Sequence, residues 1–475
     1  MKKNYYITTT LPYVNADPHI GFAMEIVRTD AIARFKRLLG YQVIFNTGTD
    51  EHGQKIYQRA VATKKDPQKY CDEYATKFIN LKRALNLTYS SFIRTTDEHH
   101  IKAAQEFWKR CLEKGDIYKT KYKIKYCVGC ELEKSESELQ ENKCLLHPNL
   151  NLETIEEENY FFKFSKYQKP LLDFFDKNPN FLLPKFRFEE IKNFVKKGLK
   201  DFSISRLKNK MPWGIEVPGD TSQVIYVWFD ALINYISTLG WPEDEKKFTE
   251  FWPGVQVAGK DNLRQQSAMW QTMLMSAGLP NSKQIYVEGF ITSGGQKISK
   301  SLDNVVDPFK LVDIYGTDAV RFYLLKEISN FEDGDYSDQR MKEIYNSDLA
   351  NELGNLVLRV TNIAEKDNLT IEDKKVNYQT LCQPFEKMID SFQFNQIFEQ
   401  IFNQIKDLNK KLNDQAPWEK TTAERKDFII QILFNINQIG HLLLPYLPAT
   451  AEKIISATVN KIKKPAPLFP RINHS

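Results

Sequence analysis

The first fifty residues change from a strand pattern to a helical pattern and back, and this change constrains the fold more than any other feature of the chain. Residues 5–10 are aromatic and β-branched, which is typical of a buried strand. From His19 onward apolar residues recur at helical spacing until Gly40, which favours a helix end. A second apolar strand at 42–45 delivers residues 47–53 to its carboxyl end, where open α/β sheets place their ligands. The pattern therefore predicts an α/β domain.

Length and composition exclude several classes of protein. A chain of 475 residues is expected to form about three domains, and 42% apolar with 27% charged residues is a globular composition. No run of about 18 apolar residues occurs, so we expect no membrane span. Six cysteines are too few for a disulfide scaffold, and no secretory signal pattern follows Lys3, so we expect a cytoplasmic protein. The net charge of +5 permits a nucleic-acid partner without requiring one.

The sequence pattern changes again further along the chain. Residues 116–215 are rich in Lys, Glu, Asn and aromatic residues and show little alternation, so we interpret them as an insertion in the sheet. Sheet-like runs return at 223–229 and at 284–287. From about residue 346 the pattern is helical to the end of the chain. The apolar stripes of this last part are Leu349, Leu353, Leu356, Val357 and Val360, and Ile397, Ile401 and Ile405.

Four potential metal ligands, Cys127, Cys130, Cys144 and His147, lie close together within the predicted insertion. Two residues separate the ligands of each pair, and this spacing lets a tight turn direct both side chains at one ion. The alternative is a chance cluster of reduced thiols. We predict one zinc ion per chain, with a structural role, because a closed set of four ligands leaves no open position for a substrate.

Two further motifs are suited to binding phosphate. Pro18, His19 and Gly21 lie between the first strand and the first helix, where a helix N-terminus presents amides and partial positive charge. Residues 297–301 read Lys-Ile-Ser-Lys-Ser and follow two glycines, so their lysines could swing onto a triphosphate and neutralise a leaving pyrophosphate. Taken singly, the first motif could be a helix cap and the second a solvated loop. Both follow β-rich runs, and together they favour a nucleotide site.

These two motifs resemble the signatures of the class I aminoacyl-tRNA synthetases, usually His-Ile-Gly-His and Lys-Met-Ser-Lys-Ser. Other strings along nearly the whole chain are similar to the methionyl-tRNA synthetase family, of the bacterial type without a C-terminal extension. The resemblance implies ligation of methionine to tRNA(Met) through methionyl-adenylate, using ATP with Mg²⁺. The similar strings are residues 47–53, 92–96, 201–206, 226–231, 259–261, 354–356 and 414–418.

The resemblance also implies a division into domains. A Rossmann-like class I synthetase catalytic domain would comprise residues 1–115 and 216–290, with a zinc-knuckle connective insertion at 116–215. Residues 291–345 would contain the flexible lysine loop and a region that contacts the tRNA stem. An all-α anticodon-binding helical bundle would follow at residues 346–475.

By the resemblance, the catalytic residues are His19, Lys297 and Lys300. His19 would contact the ATP phosphates, and the two lysines would stabilise the pyrophosphate side of the reaction. The resemblance implies the following ATP-binding set: Pro18, His19, Gly21, Lys297, Ser299 and Lys300.

The resemblance places methionine against Leu11, Tyr13, Asp50, Trp228 and Gln266. Asp50 would hold the α-ammonium group, and the aromatic residues would surround the thioether. Without the resemblance, Asp50 could equally be a solvated loop carboxylate, and Trp228 would be read as a core residue.

Weaker inferences concern Arg206, Asp261 and the anticodon. Arg206 and Asp261 would contact substrate or the tRNA acceptor end, although each could equally form a structural ion pair. Four residues are implied in anticodon contact, by hydrogen bonds to the base edges and by stacking; the alternative is a solvated helix face and a tryptophan packed between helices. The four are Asn351, Asn355, Arg359 and Trp418.

The chain departs from the family at two positions and supports alternatives. Phe22 replaces the second signature histidine and cannot donate a hydrogen bond, which motivates the alternative of a catalytically weak relative that binds tRNA without charging it. Gln266 stands where many relatives carry histidine, so editing of homocysteine could differ. A synthetase for another aliphatic amino acid is a third reading, but the insertion is short for a large editing domain. The chain ends soon after Pro467, leaving no room for the domain through which some relatives dimerise, so we expect a monomer.

Overall fold

The computed structural model describes residues 3–134, 139–298 and 304–472. The first part consists of strands that alternate with helices, as the sequence predicts. The long helix α1 begins at Ile20, with His19 as its N-cap, and ends at Leu38. The elements are β1 (Asn4–Thr8), α1 (Ile20–Leu38), β2 (Gln42–Thr49), α2 (Gln54–Ala62), α3 (Pro67–Ala84), β3 (Ser91–Arg94) and α4 (Glu98–Glu113).

The segment predicted as an insertion is built on a long antiparallel hairpin. Its two main strands pair from Ile117 opposite Phe162 to Tyr126 opposite Glu153. The elements are β4 (Ile117–Cys127), β5 (Leu132–Lys134), β6 (Leu139–Gln140), β7 (Lys143–Cys144), β8 (Glu153–Phe162), α5 (Gln168–Lys177), β9 (Leu182–Leu183), α6 (Lys185–Lys196), β10 (Phe202–Ser203), β11 (Ser205–Leu207), β12 (Glu216–Val217) and β13 (Asp220–Ile225).

Helices dominate the remainder of the chain, although two long strands return first. The elements up to the helical region are α7 (Val227–Ala231), α8 (Asn234–Ser237), α9 (Glu245–Phe251), β14 (Val255–Gly259), α10 (Trp270–Ser276), β15 (Gln284–Glu288), β16 (Ile291–Ser293), β17 (Gln296–Lys297), α11 (Pro308–Tyr315), α12 (Thr317–Phe322), β18 (Gly334–Tyr336) and α13 (Asp338–Ile344). A π-helical turn at Gln265–Met269 precedes α10, and others lie at Tyr323–Glu327 and Tyr345–Gly354.

The C-terminal part is helical, as predicted, except for one short pair of strands and the last residues. All eight apolar residues of the two predicted stripes are buried. The elements are α14 (Asn355–Lys366), β19 (Thr370–Ile371), α15 (Tyr378–Cys382), α16 (Glu386–Asp390), α17 (Phe394–Gln415), α18 (Thr422–Leu443), α19 (Pro448–Ala457) and β20 (Asn460–Lys461).

The central sheet positions the candidate site. Its six strands are parallel and lie in the order β3-β2-β1-β14-β15-β9. The chain winds from β1 towards one edge through β2, and later from β14 towards the other edge through β15. The carboxyl ends of β1 and β14 therefore border the crevice in which open α/β sheets bind ligands.

One predicted strand is only half correct. The run at 223–229 was expected to return to the central sheet, but β13 ends at Ile225 and pairs with β11 and β12 in a separate antiparallel sheet. Residues from Val227 form the short helix α7. The fully buried Phe229 packs edge-on against Trp108, with ring centroids 5.5 Å apart. Tertiary packing of this ring overrides the strand propensity of the β-branched and aromatic residues around it.

A buried ion pair joins α1 to α12, and its arginine, Arg321, also donates to the Tyr446 carbonyl of the helical part at 2.7 Å. Asp30 on α1 and Arg321 on α12 lie 2.9 Å apart, and both side chains are fully buried. Arg34 pairs with the same carboxylate at 2.7 Å, and the Thr88 amide donates to it at 2.7 Å. Burial would raise the pKa of the Asp30 carboxyl, but Arg321 and Arg34 hold it below its ordinary value.

Replacing Arg321 by methionine is expected to lower the free energy of unfolding by about 3–5 kcal/mol, because the change leaves a buried carboxylate with one partner fewer. The matched control is Arg340→Met, which removes a half-exposed pair with Glu327 and should lower it by less than about 1 kcal/mol. Urea unfolding followed by tryptophan fluorescence measures both. Equal losses in the two variants would contradict the structural role of the buried pair.

Candidate active site

The first signature lies at the crevice, at the start of α1. His19 is exposed and caps the helix, with Nδ1 accepting from the Gly21 amide at 3.1 Å, while Pro18 is buried. The Ile20 amide donates to the Val306 carbonyl at 3.0 Å. The first amides of α1 are therefore paired within the chain, whereas the sequence suggested that they would be open to phosphate.

Phe22 occupies the position at which the family signature usually has its second histidine. Its half-buried ring packs edge-on against Phe78, with centroids 5.4 Å apart. The substitution thus exchanges a polar side chain at the crevice for an apolar contact between α1 and α3.

The lysine loop begins with a glycine hairpin. Gly294 and Gly295 have φ angles of +63° and +72°, in the left-handed region that favours glycine. The Asp335 carboxylate on β18 accepts from the Gly295 amide at 2.9 Å and from the Thr292 hydroxyl at 2.7 Å. The backbone of Lys297, in β17, pairs with that of Thr292 in β16.

The rest of the lysine motif, Ser299 and Lys300 included, lies outside the described residues. The chain resumes at Asn304, and two residues later the Val306 carbonyl accepts from the Ile20 amide. The described residues that flank the lysine motif are therefore held by the hairpin on one side and by the first signature on the other. About 280 residues of sequence separate these two segments, which meet at one end of α1.

Three of the predicted methionine residues, Asp50, Tyr13 and Trp228, lie next to one another. Asp50 and Tyr13 pair across two loops: the Asp50 amide donates to the Pro12 carbonyl at 3.0 Å, and the Val14 amide to the Asp50 carbonyl at 3.2 Å. The ring of Trp228 stands edge-on to Tyr13, with centroids 6.2 Å apart. Leu11 lies half-buried on the same loop.

Asp50 is an acid in a strongly unfavourable setting. Its side chain is buried, and burial raises its pKa well above the ordinary value, with further increases from the neighbouring Asp230 and Glu131 carboxylates. A buried carboxylate surrounded by other carboxylates is stabilised by a cation. The surroundings of the Asp50 carboxylate are thus suited to a positively charged group.

Gln266 is buried in the π-helical turn that precedes α10. Its amide nitrogen donates to the Tyr235 hydroxyl at 2.6 Å, and its carbonyl oxygen accepts from Gln256 at 3.3 Å. Because the amide is bonded at both ends, the Tyr235 hydroxyl is held in a fixed place. Sequence reasoning singled out Gln266 but missed its two partners.

Glu131 is a site residue that sequence reasoning missed. It directly follows the ligand Cys130, has a left-handed φ of +49°, and is 1% exposed. One carboxylate oxygen accepts from the Lys55 amide at 3.0 Å. The segment that carries the predicted metal ligands therefore also contributes a carboxylate beside Asp50. A charged residue next to a cysteine pair gives no distinctive sequence signal.

A second missed group lies at the carboxyl end of β15. The carboxylate of Glu288 is 1% exposed and stands 3.6 Å from the guanidinium of Arg28. Glu25, also buried, accepts from the amide and the hydroxyl of Thr10, each at 2.7 Å. The only available signal was a pair of charged residues within the apolar pattern of α1.

The weaker candidates occupy different environments. Arg206 lies between two aromatic rings, 4.5 Å from the centroid of Tyr226 and 5.1 Å from that of Tyr126, beside a cavity of about 140 Å³. It donates to the Ser205 carbonyl at 2.7 Å. Asp261 lies in the first turn after β14, at the crevice, and is exposed.

The four predicted metal ligands come together. Their ligand atoms all lie within 4.8 Å of one another, and Cys130 Sγ is 3.5 Å from Cys144 Sγ and 3.1 Å from His147 Nδ1. Sulfur atoms bound to one tetrahedral zinc are separated by about 3.8 Å, given a Zn–S bond of about 2.3 Å. A Cβ on Gly129 would lie 2.5 Å from the His147 ring, so the knuckle needs glycine there. The residues fit one tetrahedral ion.

The predicted anticodon residues form two contacts on the helical part. The guanidinium of Arg359 lies 5.0 Å from the ring centroid of Trp418, and its Nη2 donates to Asn413 at 2.8 Å. Trp418 is 48% exposed, so it is not packed between helices.

The other two residues of this set, Asn355 and Asn351, precede Arg359 by four and eight residues. Asn355 is exposed at the start of α14. The side-chain oxygen of Asn351 accepts from Arg471, whose Nε lies 3.0 Å away. Arg471 was not singled out from the sequence.

Comparison with known proteins gives first the class of the chain. A family model described as tRNA synthetases class I (M) matches residues 5–134 and 130–361. The solved structure of Mycobacterium tuberculosis methionyl-tRNA synthetase in complex with methionyl-adenylate has a TM-score of 0.92 and 35% identity, covering 99% of this chain and 100% of that one. The fold is that of a class I synthetase, with a parallel sheet and a helical C-terminal region.

The curated relatives specify the family within this class. A methionine–tRNA ligase of Thermotoga maritima is 41% identical over 95% of this chain and 74% of its own length. One from a Nostoc species is 42% identical over 95% of this chain and 89% of its own. The chain belongs to the methionyl-tRNA synthetase family. Among the described residues, no helix combines the length and apolar character that a membrane span requires.

Glu288 predicts a pH dependence of stability. Burial raises its pKa to about 7, against a lowering by Arg28, so the folded protein keeps a proton that the unfolded chain releases near pH 4.5. A raised acid pKa means that the free energy of unfolding falls as the pH rises between these values. The difference between the two pKa values corresponds to about 3 kcal/mol.

Glu288→Gln is expected to remove this part of the pH dependence, which urea unfolding at pH 5 and pH 8 measures. The control is Glu73→Gln, which alters an exposed pair with Lys65 and should leave the pH dependence unchanged. Parallel pH profiles for the wild type and Glu288→Gln would contradict the assignment.

Proposed function

We propose that this chain activates methionine with ATP to methionyl-adenylate and pyrophosphate, and then esterifies the terminal adenosine of tRNA(Met). The observation that carries the proposal is the bond between the Ile20 amide and the Val306 carbonyl at 3.0 Å. It holds Val306, which follows the lysine motif in the chain, against the start of α1, next to His19. Catalysis by positioning and charge neutralisation requires these groups around one triphosphate.

The proposed reaction follows from the groups at the crevice. An oxygen of the methionine carboxylate attacks the α-phosphorus of ATP, and the bond to the bridging oxygen of the β-phosphate breaks. The electron pair leaves with pyrophosphate, so negative charge builds on the side where His19, Lys297 and Lys300 are proposed to act. Pro18, Gly21 and Ser299 complete the proposed ATP site, and Mg²⁺ is proposed to accompany the phosphates.

Recognition of methionine is proposed to rest on one charge and one apolar wall. Asp50 supplies the charge that binds the α-ammonium group, because its buried carboxylate has carboxylate neighbours and is stabilised by a cation. Leu11, Tyr13 and Trp228 provide the wall against the thioether, a soft contact between sulfur and aromatic rings. Gln266 acts through the Tyr235 hydroxyl that it holds.

The proposed division of the chain gives each part a role. Residues 1–115 and 216–290 form the catalytic domain, and residues 116–215 form the connective insertion. Residues 291–345 contain the flexible lysine loop and the region that contacts the tRNA stem, and residues 346–475 read the anticodon. Single-stranded bases are read by stacking and by hydrogen bonds to their edges, and Trp418, Arg359, Asn351 and Asn355 offer both.

Arg206 and Asp261 are proposed to contribute less directly. Arg206 borders the cavity between the insertion and the catalytic domain, where an acceptor end would approach. Asp261 faces the crevice beside β14. The six cysteines are consistent with a cytoplasmic, reducing location. We also propose that the protein acts as a monomer.

The alternative of a tRNA-binding relative without charging activity rests on Phe22. Phe22 packs against Phe78 and lacks the polar group that the second signature histidine would place at the crevice. One charge-assisted hydrogen bond is worth about 1.5–3 kcal/mol, which is small against the acceleration such an enzyme provides. Since the other site groups are retained, the charging enzyme is favoured.

Lys300→Ala is expected to lower methionine-dependent exchange of pyrophosphate into ATP by about 10²–10³, because one preorganised charge on the leaving group is lost. Lys310→Ala is the matched control, since this lysine is exposed on α11 and should leave the rate unchanged. The same variants are assayed for charging of tRNA bearing the methionine anticodon. A wild type without methionine-dependent exchange, or an unaffected Lys300→Ala, would refute the proposal.

We propose zinc as the ion of the Cys127, Cys130, Cys144 and His147 cluster, because three thiolates and an imidazole are a typical structural zinc set. Purified protein is expected to contain one zinc per chain by elemental analysis, and Cys144→Ser should lower the content strongly. Cys382→Ser, at a buried cysteine outside the cluster, should retain it. Equal zinc contents in the two variants would contradict the assignment.

A further inference from the structure

A buried cluster of two histidines and one aspartate lies beneath the proposed methionine pocket. The carboxylate of Asp230 lies 2.6 Å from His52 Nδ1 through one oxygen and 2.7 Å from His100 Nε2 through the other. His100 Nδ1 lies 2.9 Å from the Ser237 hydroxyl. All four side chains are at most 6% exposed. The proposed reaction uses none of them directly.

We propose that His52 and His100, acting through Asp230, are positioning residues that set the geometry of the methionine α-ammonium site. This inference rests on the proposed function. It adds residues that touch neither methionine nor ATP but determine how well methionine binds.

The chain places this cluster between the two walls of the pocket. His52 follows Asp50 by two residues, and its amide lies 3.4 Å from an oxygen of the Asp50 carboxylate. Asp230 follows Trp228 by two residues in α7, which is only five residues long. The bond between His52 and Asp230 therefore ties the ammonium side of the pocket to the thioether side. A helix of this length is held by tertiary contacts rather than by its own hydrogen bonds.

The bonds also determine the direction in which each imidazole donates. An ionised carboxylate only accepts hydrogen bonds, so His52 donates from Nδ1 and His100 donates from Nε2. The two histidines thus present opposite ring nitrogens to the same carboxylate. The Trp213 ring closes the other side of His52, with centroids 5.6 Å apart.

The orientation of Asp230 affects the electrostatic field at Asp50, because several other charged groups lie close to the cluster. The neighbouring charged groups are Glu51 with its partner Arg94, and Glu131 with Lys55 nearby. With a donor on each of its carboxylate oxygens, Asp230 is held in one orientation, so the field that its charge exerts at Asp50 is fixed. Losing one donor would turn or displace Asp230 and change the field at the ammonium position.

Asparagine and glutamine substitutions test the proposal, because each keeps a donor at a different ring nitrogen. Asparagine places its amide nitrogen near the position of Nδ1, and glutamine near that of Nε2. His52→Asn should therefore keep the bond to Asp230, whereas His52→Gln should lose it. We expect His52→Gln to raise the KM for methionine about tenfold, the lower end of the effect of a hydrogen bond to a charged group. His52→Asn should stay within about threefold of the wild type, and the KM for ATP should change little in either variant.

The preference should invert at His100, where glutamine keeps the donor and asparagine loses it. The two His100 variants test the positioning role if a His52 variant fails to fold. Thermal unfolding shows whether each variant is folded. The matched control is His441→Gln, since His441 also uses Nδ1, towards the Tyr378 hydroxyl at 2.9 Å, in the helical part of the chain. It should leave both KM values unchanged.

Pyrophosphate exchange at varied methionine and ATP provides these values. Equal effects of asparagine and glutamine at both positions, or KM values for methionine and ATP that rise together, would overturn the positioning role. A wild type that shows no methionine-dependent exchange would instead refute the proposed function itself, so the two failures are distinguishable.

Discussion

A buried pair of opposite charges, Asp30 on α1 and Arg321 on α12, holds the two main parts of this molecule in one arrangement. Removing two charges from water is unfavourable unless each finds further partners. Asp30 has Arg34 and Thr88, and Arg321 donates to backbone carbonyls that include those of Leu85 and Tyr446. Because these partners come from distant parts of the chain, the network is complete only when α1 lies in this one place.

The position of α1 matters because the same helix begins at the crevice. His19 caps its first turn, and its next residue bonds to the segment that follows the lysine loop. Further along, Arg28 donates to the carbonyls of Ile328 and Ser329, on the connection to the helical part. A single rigid element thus relates the groups proposed to bind phosphate to the region proposed to read tRNA.

Features with local sequence signals were predictable. The helix from His19 and the cysteine–histidine knuckle could be read because the spacing of a few neighbouring residues specifies them. The strand expected at 223–229 was half wrong because the ring of Phe229 packs into the core and turns the chain into α7. Glu131 and the cluster around Asp230 were missed, since their significance depends on contacts across more than 75 residues of sequence. The lysine motif could be recognised, but the bond between Val306, which follows it, and the start of α1 could not.

The pairing of β9 with β15 has a consequence for the history of the insertion. Leu182 and Leu183 lie opposite Ile285 and Tyr286, so the inserted segment supplies the outermost strand of the central sheet. An inserted domain that is connected to its host only by two linkers could be exchanged between proteins as a unit. Deleting this insertion would remove β9 and expose the edge of β15. The backbone groups on that edge would then lack hydrogen-bond partners, which favours self-association. The insertion is therefore an integral part of the catalytic sheet. We expect natural variation to lengthen or shorten the β4–β8 hairpin rather than delete the entire insertion.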